Sequence, residues 1–338
     1  MKHEFKHLQA AHCENGVTTN LLRSIGVYKM TEPLAFGIGS GLFFVYLPFL
    51  KINKGPAIAF RTMPGLIFKR TCDSLNIPVV RKKFNSKISA EKYLMECLQS
   101  GQPVGCQVGV YYLTYFPKEY RFHFNAHNII VYGKEDDKYL ISDPVMENVT
   151  SLTAYELERV RFAKGALSPR GQIYYPKEHK IVTDQQIRKA IETGIKRNVT
   201  HMIRIPGSIA GVKGIAATGK KIKKWRDKLG QHTAGLYLAQ LVRMQEEIGT
   251  GGGGFRYMYA AFLQQSHAFC PNDTLLEISK TFTQAGDKWR NAAVQAAGIY
   301  KGRIGSQADF DVMGDYLIHI AEVEKNAFQA LSKIKWNS

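Results

Sequence analysis

The hydrophobic periodicity changes once along this chain, at Thr183, and that change limits the fold more than any other feature. Before it, the runs "GPAIAF", "IPVVRKKF", "PVGCQVGVYYLTYF", "AHNIIVYG" and "KYLISDP" are short and divided by Gly, Pro, Asn and Asp. That is the pattern of strands joined by turns. After it, "DQQIRKAIETGIKRNVTHMI", "AGLYLAQLVRMQEEIG", "FRYMYAAFLQQSHAFC" and "DFDVMGDYLIHIAEVEKNAFQALSKI" repeat apolar residues at spacings of three and four, which lines them along one side of a helix. A chain of 338 residues is long enough for two cores. The expected class is therefore α+β, with a mixed unit over residues 1–178 and a nearly all-α unit over 183–338. The boundary falls inside "KGALSPRGQIYYPKEHKIVTDQQ", where Gly, Pro and charge mix.

Helices also occur in the first half. Val17, Leu21, Leu22 and Ile25 predict one over Glu14–Ile25, stopped by Gly26 and carrying Cys13 at its N-terminal edge. Glu14 and Asn15 are the expected caps. "SAEKYLMECLQSG" predicts a second, with Ser89 as N-cap and Gly101 beyond its end, and "SLTAYELERVRFA" a third. The longest apolar run, Leu34–Leu50, holds three glycines and a proline. It falls short of the roughly 20 residues of a membrane span and reads as buried core broken by turns. The first residues, "MKHEFKHLQAAHCENG", are too polar for the apolar stretch of a signal peptide. Cysteines 13, 72, 97, 106 and 270 show no paired spacing, so reduced thiols and a cytoplasmic setting are expected.

Net charge is +18, shared evenly by the two halves. Such a surface attracts acidic partners over long range, of which nucleic acid and an acidic carrier protein are two. No recognisable nucleic-acid-binding motif accompanies the charge, which argues against the first. "KKIKKWRDK", from Lys220, reads as a solvated helix face. No metal-ligand spacing appears.

A nucleophilic cysteine needs a lowered pKa, a base, and a group that orients the base. The start of a helix favours the thiolate through its unpaired N–H groups and dipole. Among ten histidines, His127 opens the strand-like "HNIIVYG", and Asp143 ends the next run, "KYLISD". With a turn within Lys134–Asp137 the two runs pair antiparallel, and the imidazole and carboxylate meet at one end of the hairpin. His123 lacks such a match, and His12 reads as structural. The chain order Cys13, His127, Asp143 is papain-like. Each residue alone has an ordinary alternative: a buried thiol, a strand-end histidine, an Asp-Pro turn.

"HCENGVTTNLLRSIG", "GIGSGLFFVYLP", "HNIIVYG" and "ISDP" resemble the N-terminal domain of the butirosin-biosynthesis H proteins. The helical half, with "GTGGGGFRYMYAAFLQQS", resembles the domain that accompanies it. The resemblance implies a papain-like acyltransferase, with a helical domain covering the active site. It would move an acyl group from the phosphopantetheine thioester of an acyl or peptidyl carrier protein, through acyl-Cys13, to a small-molecule amine. The product is an amide in antibiotic biosynthesis, and no tightly bound cofactor is needed. A cysteine peptidase or amidase uses the same residues, and a basic nucleic-acid-binding protein is the reading from another class. Papain-like enzymes place a glutamine six residues before the cysteine as oxyanion donor; here that position is His7, with Gln9 nearby. Both are candidates. Gly252, Gly253, Gly254 and Arg256 are candidates for holding the phosphate of the pantetheine arm, against the plainer reading of a flexible connection.

Overall fold

The computed structural model describes residues 4–52, 55–178 and 181–336. In chain order the elements are α1 (Cys13–Ser24), α2 (Glu32–Ile38), β1 (Leu42–Ile52), β2 (Gly55–Arg61), α3 (Leu66–Ser74), β3 (Val79–Lys82), α4 (Lys87–Gln99), β4 (Val104–Val108), β5 (His127–Glu135), β6 (Lys138–Ser142), β7 (Thr150–Thr153), α5 (Ala154–Arg161) and β8 (Ile173–Pro176). Six further helices follow: α6 (Asp184–Val199), α7 (Gly211–Ile222), α8 (Trp225–Val242), α9 (Arg256–His267), α10 (Asp273–Tyr300) and α11 (Gln307–Ser332). Mixed α+β character with a helical C-terminal half is what the periodicity predicts.

The chain divides into two compact units, but not at a single point. Residues 1–35 and 67–183 form the first, and residues 36–66 and 184–338 the second. One break between 178 and 183 therefore misassigns the hairpin of β1 and β2, which belongs with the helices. Its apolar partners lie far away in sequence: Phe44 and Phe60 both pack on Trp289, with ring centroids 6.1 and 5.1 Å away. The backbone is tied in as well, since the Leu42 carbonyl accepts the Asn198 side-chain amide at 2.7 Å.

The first unit is built on a six-stranded antiparallel sheet in the order β3-β8-β4-β5-β6-β7. Period-2 alternation splits its faces. Val104, Cys106, Ile129, Val131 and Ile173 build one core with Leu94 and Leu98 of α4 and Leu157 and Val160 of α5. Gly105, Asn128 and Tyr174 alternate with them onto the other face, which receives α1. That helix is buried on every side from Cys13 to Leu22, so it is the central helix of its unit and not a surface helix with one apolar stripe. Gly105 is required here: a Cβ at that position would stand 2.5 Å from the Tyr174 ring.

Local signals are displaced in two helices. Ser86, not Ser89, caps α4, accepting the Ser89 N–H, so the helix starts earlier than the sequence implies. At α1 the cap is His12, in extended backbone, whose ring Nδ1 accepts the Asn15 N–H. Glu14 is fully buried instead, and its carboxylate accepts the Ile67 N–H at 3.0 Å. The apolar run Leu34–Leu50 becomes most of α2 and β1. Among the described residues no helix is long and apolar enough to cross a membrane.

Candidate active site

Cys13 is the first residue of α1 and is buried, with 7% exposure. Its approach is held by a carboxylate: Glu32 accepts the Ala11 N–H at 2.9 Å and the His12 N–H at 2.8 Å. Burial raises the Glu32 pKa, and these two hydrogen bonds, with one from Asn15, work against that rise. At the helix start the sulfur also feels the positive end of the dipole. The other four cysteines lie in a different setting. Burial pushes the thiols of Cys72, Cys97, Cys106 and Cys270 upward, which suits inert core residues.

His127 opens β5, and its Nε2 lies 2.7 Å from Asp143 Oδ2 just beyond β6. The hairpin register explains the meeting. Glu135 pairs with Lys138 across a two-residue turn, Asp136–Asp137, and Ile130 pairs with Ser142. Asp136 takes a left-handed φ of 52°, which short polar residues tolerate. Asp143 is fully buried and also accepts the Tyr115 hydroxyl at 2.7 Å and the Val145 N–H at 3.2 Å. The Phe116 ring stands edge-on to the imidazole, 5.5 Å between centroids.

With Nε2 committed to Asp143, Nδ1 is the nitrogen left for Cys13. Burial depresses the imidazolium, but the charges of Asp143 and Cys13, and hydrogen bonds to both, outweigh it and carry His127 to about 10. Burial and the Asp143 carboxylate hold the Tyr115 phenol well above its ordinary range, so that hydroxyl remains a donor.

Gly16 closes the arrangement from the helix side. A Cβ on it would lie 2.3 Å from Pro144 Cβ and 2.7 Å from Ala10 Cβ. The Pro144 carbonyl in turn accepts the Ala10 N–H at 2.7 Å. The glycine of "HCENG" and the proline of "SDP" are thus two halves of one contact, which seats Asp143 beside the cysteine helix.

Three residues, Asn128 and Tyr174 buried and Tyr115 half-buried, escape the sequence reading. Asn128 follows His127 and directs its Nδ2 to the Cys13 sulfur at 3.8 Å, while Tyr174 donates to its Oδ1 at 2.7 Å. Tyr115 holds Asp143 from a segment read as strand. Only Asn128, next to His127 in "HNII", carried a local signal.

Among the oxyanion candidates His7 is excluded. Its Nδ1 bonds Ser142 Oγ at 2.8 Å and its Nε2 bonds the Met146 carbonyl at 3.1 Å, so both ring nitrogens are engaged. Gln9 is exposed. The glycine run also departs from expectation. The Gly253 N–H already holds an anion, the Glu246 carboxylate, at 3.0 Å, and the Gly252 N–H bonds Thr250 Oγ1 at 3.0 Å. Arg256 is fully buried and grips Glu324 with Nε and Nη2 at 2.8 and 2.9 Å, while Nη1 bonds the Gly254 carbonyl. Its guanidinium is spent inside the second unit, and Gly254 cannot act with it on a phosphate. No group of three or more metal-ligating side chains occurs among the described residues.

A cysteine on a helix start, facing a histidine–aspartate pair carried by an antiparallel sheet, is the papain-like arrangement. The class it defines is that of cysteine-dependent enzymes. Residues 12–144 match the family model "Butirosin biosynthesis protein H, N-terminal", and residues 155–331, just over half the chain, match a domain of unknown function, DUF4872. The chain belongs to the family defined by that domain of unknown function, and its N-terminal part is similar to the butirosin-biosynthesis H proteins. Among solved structures it is similar to one described as a C39-like peptidase from Bacillus anthracis, with 14% identity, 52% of this chain and 96% of that chain covered, and a TM-score of 0.35. No curated protein matches it.

Proposed function

We propose that this protein forms an amide by moving an acyl group from a carrier-protein thioester, through acyl-Cys13, to an amine in natural-product biosynthesis. The observation that carries the reading is the convergence in one unit of Cys13, His127 and Asp143, with the imidazole held at 2.7 Å by a fully buried carboxylate. The name of the matching family model, a butirosin biosynthesis protein, supports the antibiotic setting. The net charge of +18 favours encounter with an acidic carrier.

His127 Nδ1 takes the thiol proton, and the thiolate attacks the thioester carbonyl. The tetrahedral oxyanion is met by the Cys13 backbone N–H at the first position of α1 and by Gln9 as second donor. Collapse breaks the carbon–sulfur bond to the phosphopantetheine arm, and its sulfur leaves as a thiol with the proton from His127. One thioester replaces another, so the acyl group stays activated. The amine then attacks acyl-Cys13 and gives its proton to His127. Collapse forms the amide, and Cys13 recovers the proton. The sequence is a two-step covalent route of ping-pong type. Nothing in it needs a bound cofactor.

Hydrolysis differs only in that water replaces the amine, so the test must separate the two. Intact mass is recorded after mixing the protein with an acylated carrier protein. An acyl adduct on the native protein, absent from Cys13→Ala and discharged to amide by an added amine, is the expected result. No adduct from any thioester donor, together with cleavage of peptides, would replace this reading with the peptidase.

A further inference from the structure

Directly behind the sulfur of Cys13 lies a second, uncharged chain of hydrogen bonds that the proton path through His127 does not use. Asn128 on β5 is 4% exposed and fully engaged. Its Nδ2 donates to the Ala126 carbonyl at 3.1 Å and to Cys13 Sγ at 3.8 Å, within reach for so large an acceptor. Its Oδ1 accepts from the Tyr174 hydroxyl at 2.7 Å. The Ala126 carbonyl can only accept, so it fixes which end of the amide is nitrogen. Tyr174 then has to donate. Burial first, and then the charges of Glu14 and Cys13, keep its phenol well above the ordinary range, and therefore protonated. Its ring occupies the space that Gly105 leaves open.

We propose that Asn128 is a catalytic residue that donates a side-chain N–H to the Cys13 sulfur and holds it as thiolate, with Tyr174 as the positioning residue that locks the amide. The proposal rests on the reading of Cys13 as nucleophile. A thiolate accepts the N–H more strongly than a thiol or a thioester sulfur does, because hydrogen bonds to charged groups are the stronger ones. Asn128 therefore favours the resting thiolate and loosens its hold once the sulfur is acylated. The histidine supplies a charge that comes and goes with the proton; the amide supplies a dipole that pH does not alter. His127 on β5, Tyr115 ahead of β5 and Tyr174 on β8 all bear on Cys13, with Asp143 behind His127 and Tyr115 and Glu14 behind Tyr174. Beside the His127 cation, the amide supplies an uncharged donor to the sulfur.

The test is the pH dependence of iodoacetamide alkylation, read at Cys13 by peptide mass so that the other four thiols do not interfere. In Asn128→Ala the Cys13 midpoint is expected to rise by about one pH unit, the scale of a single hydrogen bond to a charged group. In Tyr174→Phe it should rise less, because the amide stays but is no longer locked. A folded Asn128→Ala protein with the native midpoint would overturn the proposal and leave the nucleophile intact. A native Cys13 no more reactive than the other four cysteines would overturn both. Should Asn128→Ala not fold, the native protein decides. With 15N-asparagine labelling, the side-chain amide signal perturbed by Tyr174→Phe must also move when Cys13 is blocked with methyl methanethiosulfonate. An unmoved signal overturns the proposal.

Discussion

Replacing Gly16 by alanine puts a methyl carbon where Pro144 already stands. The new Cβ would sit 2.3 Å from Pro144 Cβ and 2.7 Å from Ala10 Cβ. Ordinary carbon–carbon contact is about 3.8 Å, so one side must yield by roughly 1.5 Å. Ala10 is tied to the Pro144 carbonyl at 2.7 Å, so the two obstacles are already linked to each other. The least costly relief moves Pro144, and with it Asp143, away from the helix. Overpacking of this kind costs about 1–3 kcal/mol of stability. The effect on chemistry is larger, because a misplacement of about 1 Å in a catalytic group lowers rates about 100-fold. The assay is the rate at which the acyl adduct on Cys13 appears in intact mass, with circular dichroism and a thermal melt as controls. Pro144→Gly in the Gly16→Ala background removes the opposing Cβ and should recover part of the loss, a coupling that a double-mutant cycle measures. A folded Gly16→Ala protein that acylates within twofold of the native rate would refute the link between this contact and the position of Asp143.

Asp143→Asn keeps the shape but removes the charge that holds the imidazolium. Acylation should fall about 100-fold or more, and the alkaline limb of the Cys13 alkylation profile should move down from about 10, the native His127 value. Because His127 is raised in the folded state from an ordinary value of 6.5 to about 10, its contribution to stability is fully present below pH 6.5 and is lost as pH rises through 10. Urea denaturation at pH 6.5 and pH 10 should show a smaller loss in Asp143→Asn than in the native protein. Gln9→Ala should slow acylation about 100-fold with an unchanged melting temperature, since Gln9 is exposed; an unaltered rate would remove it as oxyanion donor. Arg256→Met leaves Glu324 charged and without its ion-pair partner in a fully buried position, still accepting the Trp289 indole N–H at 2.8 Å, a loss of about 3–5 kcal/mol by denaturation. Arg256→Met with Glu324→Leu should recover most of it.

Cys13, His127 and Asp143 could be read from the chain because each depends on local structure: a helix edge, a strand start, and a hairpin whose turn is set by four consecutive residues. The pairing of Tyr174 with Asn128 could not, because they meet through strand register across 46 positions. Glu32 is likewise silent in sequence, since its role is to accept backbone N–H groups that any residue supplies. Arg256 misled for the opposite reason. A glycine run followed by arginine suggests an anion site, and the anions are there, but they are Glu246 and Glu324 of the same chain. At "NSKISA" two serines compete for one cap, and hydrogen bonding between Ser86 and Ser89 settles it in favour of the earlier.

The hairpin of β1 and β2 leaves the first unit after residue 35 and the chain returns at residue 67. As the chain emerges from a ribosome, Phe44 and Phe60 are made more than two hundred residues before Trp289, on which both rings pack. Synthesis at roughly 5–20 residues per second leaves those rings waiting for ten seconds or more. The first unit has all its residues once Thr183 is out, and so can close while a looped-out, apolar hairpin still lacks its helices. Nascent chains arrested after residue 183 are therefore the species in which this protein most needs a chaperone.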